Sequence, residues 1–185
     1  MSKATIVSAP MGLIFYIFGP WAAKKIGLEK MIRLGLLISV VLYGTLFGLH
    51  CITDVNVWLH IIWSGFGTGF ATLSIIMQWG LVGEAIDYNE YVTGKRTEGS
   101  IYGTFNLTRR IGNTVGTSSA LVMLALTGYV SGAAVQTASV IFGIKVLCVL
   151  LPGVFALGSW AAFKFVWNIT PETREKMAAF KANNK

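Results

Sequence analysis

Five long apolar stretches alternate with short polar connections along the chain. Each approaches or exceeds the roughly 20 residues that a helix needs to cross a hydrocarbon core of about 30 Å. The pattern therefore predicts an all-α integral membrane protein with about five transmembrane helices. The predicted spans are about residues 4–22, 31–50, 57–83, 101–127 and 138–165, within a transmembrane domain of residues 1–169. The polar tail, 170–185, opens with Thr-Pro-Glu, which is typical of a helix start.

Composition supports a membrane protein. Hydrophobic residues make up 54% of the chain and charged residues only 12%. The formal net charge of +7 is a value that nucleic-acid-binding proteins also show, but here the basic residues lie in short clusters beside apolar stretches. Because that distribution orients membrane helices, we expect a lipid bilayer as the surroundings and no nucleic acid as a partner.

Lysine and arginine occupy alternate connections. They crowd residues 24–33, residues 95–96 and the tail, whereas the second and fourth connections contain neither. The positive-inside rule therefore places the first and third connections and the tail in the cytoplasm, with the N-terminus outside. An odd number of spans with this orientation suggests that a first half or a partner segment is missing.

The fourth predicted span contains many polar residues. At about 100° per residue, four of them form one narrow stripe. They are Asn106, Arg110, Asn113 and Thr117. Arg110 lies roughly 13 Å into the span, where a lipid-facing guanidinium costs about 2.5 kcal/mol or more. The stripe predicts a wet or protein-lined cavity in which Arg110 bonds a carboxylate or the hydroxyl groups of a sugar. The alternative is that Arg109 and Arg110 extend to the headgroups and anchor the helix.

Charge is concentrated between Gly83 and Tyr102, a segment of some twenty residues that we expect to be a loop. It contains half of the eight acidic residues and two basic ones. They are Glu84, Asp87, Glu90, Lys95, Arg96 and Glu98. Acids at this spacing share one helix face and repel one another unless basic residues neutralise them. The segment predicts either a reversible ion-pair gate, which suits a transporter, or a solvated loop with no further role.

Nothing in the sequence points to catalysis. No nucleophile stands beside a base, and Cys51 and Cys148 lack the spacing of a disulfide framework or a metal site. His50 and His60 flank the second connection with too few further ligands for a metal. We therefore expect a protein that is not an enzyme and holds no cofactor and no metal.

The charged segment also carries a family resemblance. Glu84–Tyr91, followed by Gly94–Gly99 and Tyr102, resembles the cytoplasmic loop before the eleventh helix of the glycoside, pentoside and hexuronide cation symporters. This is the melibiose carrier family of the major facilitator superfamily. The similarity continues through Arg109–Gly112 and Gly128–Val130 and covers nearly the whole chain.

The resemblance implies a multi-pass sugar transporter of the bacterial inner membrane, coupled to sodium ions or protons. It implies that Glu84, Asp87 and Glu90 form cytoplasmic ion pairs with Arg96. It also implies that Arg110, usually a lysine in the family, lies near the sugar and cation sites.

Family members have about twelve spans in two halves that move around a central site, and this chain resembles the last five. The aspartates that bind the coupling cation lie in the other half, so we expect a matching N-terminal half as a partner. The alternative is a truncated, non-transporting remnant or an accessory membrane protein.

Overall fold

The computed structural model describes residues 3–133 and 135–183, which form helices joined by short connections. The helices are α1 (Lys3–Ile26), α2 (Leu28–Ile52), α3 (Val57–Thr93), α4 (Glu98–Leu126), α5 (Ala138–Lys145), α6 (Leu151–Phe165) and α7 (Pro171–Asn183). A π-helical segment, Val146–Leu150, connects α5 to α6 without a break. No strand occurs in this described part of the chain, and the all-α prediction is confirmed.

Three helical stretches are long and apolar enough to cross a membrane, judged by length and composition. They are Leu28–Ile52, Val57–Thr93 and Ala138–Phe165. Helices α1 and α4 coincide with the first and fourth predicted spans, and their crossing of the bilayer stays a prediction. In α4 the polar stripe lowers the hydropathy.

The charged segment is helical over most of its length, and the predicted loop of some twenty residues is wrong. Helix α3 continues to Thr93 and α4 begins at Glu98, so that only four residues connect them. Charged side chains are compatible with a helix that extends into water, and these acids recur at helical spacing. Gly94, with φ of 68°, ends α3 in a left-handed conformation that glycine adopts without strain.

The packed core lies among α1, α2, α3 and α6. Its largest cluster of buried side chains consists of Ala23, Ile32, Leu36, Met77, Leu81 and Ala156. Between α2 and α3, the fully buried Ser39 donates a hydrogen bond of 2.8 Å to the carbonyl oxygen of Gly67. Helix α4 lies outside this core, because none of its residues is buried.

Close packing of α2 on α3 depends on Gly35. A Cβ atom there lies 2.9 Å from the backbone oxygen of Phe70, closer than two such atoms approach. We therefore expect Gly35→Ala to force the helices apart and to destabilise the fold by about 1–3 kcal/mol. The measurement is the temperature at which the detergent-solubilised chain loses its helical circular dichroism. Gly44→Ala, on the same helix but facing open space, is the control; an equal loss in both variants contradicts the prediction.

Candidate functional site

Arg96 is the centre of a charged cluster that lies where α3 meets α4. Its guanidinium lies 2.7 Å from a carboxylate oxygen of Glu90 and 3.6 Å from one of Asp87, and its Nε donates to Glu98. Hydrogen bonds to Glu98 and to Glu90 raise the pKa of Arg96 above its ordinary value. The structure thus brings together four of the five residues predicted for the gate, and their role in gating stays a prediction.

The connection that presents Arg96 is held by side chains of α3. The amide of Asn89 donates to the Thr97 hydroxyl at 2.8 Å and to the carbonyl oxygen of Lys95 at 3.2 Å. The Thr93 hydroxyl donates to the same Lys95 carbonyl oxygen, also at 3.2 Å. These bonds fix the turn, so Arg96 is positioned by the backbone and not only by its acids.

Glu84, the fifth predicted gate residue, pairs with a different arginine. Arg174 of α7 binds it through Nη2 at 2.9 Å and Nε at 3.2 Å. The same guanidinium lies 3.7 Å from Glu29 of α2, which is also 2.6 Å from Arg33. Arg174 therefore connects α7 to α3 and α2, and Glu84 is not part of the Arg96 cluster.

Helix α7 docks on the ends of α2 and α3 through three of its side chains besides Arg174. Lys181 lies 2.6 Å from Asp87, and Phe180 packs edge-on against Tyr91 with ring centroids 5.7 Å apart. Met177, on the same helix, is buried. The sequence analysis missed this surface, although Arg174, Met177 and Lys181 follow the i, i+3, i+7 spacing of one helix face.

The polar stripe of α4 bonds within its own helix. Asn106 donates to the carbonyl oxygen of Tyr102 at 3.0 Å, and Thr117 donates to that of Asn113 at 2.9 Å. Among the residues that the structure describes, no other element offers Arg110 a hydrogen bond or an ion pair. The stripe is thus accessible, and its place beside a cavity stays a prediction.

Helices α3 and α4 contact each other through aromatic side chains around Trp79 of α3. Tyr102 stacks on it with centroids 5.8 Å apart, and Phe105 meets it edge-on at 5.3 Å. The guanidinium of Arg109 lies 5.6 Å from the centroid of the Trp79 ring, in cation–π range. Arg109, which lies outside the predicted stripe, is therefore the arginine of α4 that contacts another helix.

A cavity near the start of α4 does not include the stripe. It has a volume of about 510 Å³ and lies between α3, the start of α4 and the end of α6. Apart from Gln78, Ser100 and Thr104, its lining is apolar, with Phe163 and Trp167 on one side. Few hydrogen-bonding groups face this cavity, so it does not resemble a sugar site.

His50 and His60 form a pair where α2 ends and α3 begins, far along α3 from the charged cluster. His50 Nε2 lies 2.9 Å from His60 Nδ1, and the Lys145 ammonium donates to the carbonyl oxygen of His50 at 3.3 Å. No group of three or more metal-ligating side chains occurs in the described ranges. The pair connects α2, α3 and α5.

Residues 1–170 match the family model described as MFS/sugar transport protein. The chain belongs to the MFS/sugar transport family. The family resemblance noted in the sequence is therefore confirmed.

Several members of the MFS/sugar transport family are similar to this chain. The glucuronide carrier protein homolog of Escherichia coli K12 is 30% identical over 169 residues, which are 88% of this chain and 33% of the carrier. An uncharacterized symporter of Bacillus subtilis is 28% identical over 93% of the chain and 36% of the symporter. The isoprimeverose transporter of Lactiplantibacillus pentosus is 27% identical over 82% of the chain and 32% of the transporter. No solved structure matches.

The chain spans about a third of the length of these MFS/sugar transport relatives. The relatives' names describe transport and not catalysis. The sugar transport family, the helical fold and the apolar helices together make this chain a membrane protein of a transporter family.

Proposed function

We propose that the chain is the C-terminal portion of a sugar:cation symporter of the bacterial inner membrane. It moves a glycoside, pentoside or hexuronide together with sodium ions or protons, and it does so with a matching N-terminal half. The main support is the similarity to named sugar carriers over most of the chain. A second support is the polar stripe of Asn106, Arg110, Asn113 and Thr117, none of which is buried by the other helices of this chain.

The charged cluster and Glu84 form the gate in this proposal. Exposed ion pairs contribute only about 0–1 kcal/mol each, so they form and break readily during a transport cycle. Asp87 binds both Arg96 and Lys181, and Glu84 binds Arg174. Because Lys181 and Arg174 belong to α7, opening the gate at the C-terminal end of α3 requires α7 to move.

The test is sugar uptake into membrane vesicles under a sodium or proton gradient. We define the completed carrier as this chain expressed with the N-terminal part of the isoprimeverose transporter, up to the region that matches. We expect the completed carrier to accumulate labelled glucuronide or glucoside and the chain alone to accumulate neither, because transport needs two halves. No uptake by a completed carrier that inserts and accumulates normally contradicts the proposal and favours a non-transporting remnant.

A further inference from the structure

His50 and His60 share one hydrogen bond between α2 and α3. His50 Nε2 lies 2.9 Å from His60 Nδ1, and the rings meet edge-on with centroids 5.1 Å apart. One of these nitrogens carries the hydrogen and the other accepts it, whereas both nitrogens of a protonated ring are donors. The bond therefore persists while one ring is neutral, and it is lost when both rings are protonated.

Lys145 of α5 brings a further positive charge to the histidine pair. Its ammonium donates to the carbonyl oxygen of His50 at 3.3 Å, and His60 and Lys145 are the charged groups that act electrostatically on His50. Cys51 and Asp54 follow in the chain and are exposed, whereas both histidines and Lys145 are half-buried. Protonation of both rings therefore gathers three positive charges where α2, α3 and α5 meet, and partial exclusion of water strengthens their repulsion.

Helix α5 is the element that this repulsion displaces most easily. It has only eight residues, Ala138–Lys145, and the π-helical segment Val146–Leu150 follows it directly. Helices bend at such segments. Helices α2 and α3 are held together by buried side chains of the core, so α5 is able to tilt away from them while they stay packed.

We propose that His50, His60 and Lys145 form an acid-sensitive contact, which holds α5 on α2 and α3 and releases it when both histidines are protonated. The contact accommodates one of the two added protons that separated histidines bind, so acid favours the open arrangement. Since an ordinary histidine gains its proton near about pH 6.5, the change falls between about pH 7.5 and about pH 5. The positive-inside rule predicts that this end faces away from the cytoplasm. The inference does not depend on the proposed transport function.

The test is backbone hydrogen exchange of the purified chain in phosphatidylcholine nanodiscs, measured by mass spectrometry. It compares about pH 7.5 with about pH 5, after correction for the intrinsic exchange rate at each pH. We expect the protection of residues 138–145 to fall at least about fivefold in acid, and the protection of residues 32–46 of α2 to stay unchanged. Equal protection of α5 at both pH values, or an equal fall in α2, overturns the inference.

His50→Gln separates the hydrogen bond from the added proton. Its side-chain amide bonds to His60 from about the place of Nε2 but does not gain a proton. We expect α5 of this variant to be equally protected at both pH values. Asp54→Asn is the matched control, because it removes an acid close to the pair in the chain and should keep the full acid response. An acid response that persists in His50→Gln, or that disappears in Asp54→Asn, overturns the inference.

Protonation of the pair is directly measurable, because the chain contains only these two histidines. NMR of the chain with isotope-labelled histidine should show two separate protonation steps, since the second proton enters beside the first. The loss of α5 protection should follow the second step. Two overlapping steps, or a loss of protection that is complete after the first step, overturn the inference.

Discussion

Replacing Arg110 with alanine is expected to abolish sugar uptake by the completed carrier. Arg110 is the charged member of the stripe, and no side chain among the described residues satisfies its donors. A bound sugar is expected to accept two of its hydrogen bonds, each contributing about 1.5–3 kcal/mol. Their loss lowers affinity at least roughly 100-fold, which reduces uptake to the background. The measurement is the initial rate of labelled sugar uptake in vesicles.

Controls for this result come from the same helix. Thr108→Ala lies on the opposite face of α4 and bonds only to Thr104 within the helix, so uptake should be unchanged. Arg110→Lys keeps the charge in a smaller head and should retain part of the uptake. Membrane insertion, followed by immunoblotting of the membrane fraction, should be normal in all three variants. Normal uptake by Arg110→Ala contradicts the assignment of the stripe as a substrate site.

Replacing Arg174 with alanine is expected to release α7 from the ends of α2 and α3. The change removes the pair with Glu84 at 2.9 Å and the weaker contact with Glu29 at 3.7 Å. These are partly exposed contacts, so their joint loss costs about 1–2 kcal/mol. The undocked population of α7 then rises roughly 5–30-fold. Hydrogen exchange of the backbone amides of residues 171–183, measured by mass spectrometry, reports this population.

The matched control is Lys176→Ala. Lys176 pairs with Glu172 inside α7 at 2.7 Å and does not connect α7 to another helix. Its loss should leave the exchange of α7 close to that of the unaltered chain. The double variant Glu84→Gln with Arg174→Ala should exchange no faster than about the Arg174→Ala variant, because both changes remove the same pair. Equal exchange in Lys176→Ala and Arg174→Ala contradicts the docking role of Arg174.

The charged cluster was predictable because its members are close in sequence. Asp87, Glu90, Arg96 and Glu98 lie within twelve residues, and helical spacing together with one short turn is sufficient to bring them together. The same local reasoning failed for Glu84, whose partner Arg174 is 90 residues away. Nothing in the spacing of α3 distinguishes a neighbour on α4 from one on α7.

Helix α4 also has one arrangement that follows from its sequence and one that depends on packing. Helical periodicity places Asn106, Arg110, Asn113 and Thr117 on one stripe, and the structure keeps that arrangement. Which arginine touches another helix depends on how α4 rotates against α3, and this was decided by the contact of Tyr102 and Phe105 with Trp79. That contact turns Arg109 toward α3 and leaves Arg110 open.

The sequence by itself determined that this is a helical membrane protein, and it determined the family. Apolar length, helical periodicity and a local charged motif are properties of neighbouring residues, so they can be recognised without the fold. Only the tertiary structure decided that α7 docks through Arg174 and Lys181, and that Arg109 is held on Trp79. The physical reason is that ion pairs and ring contacts act over a few ångströms between helices far apart in the chain. Their formation depends on how the helices pack, which the order of residues along one helix does not specify.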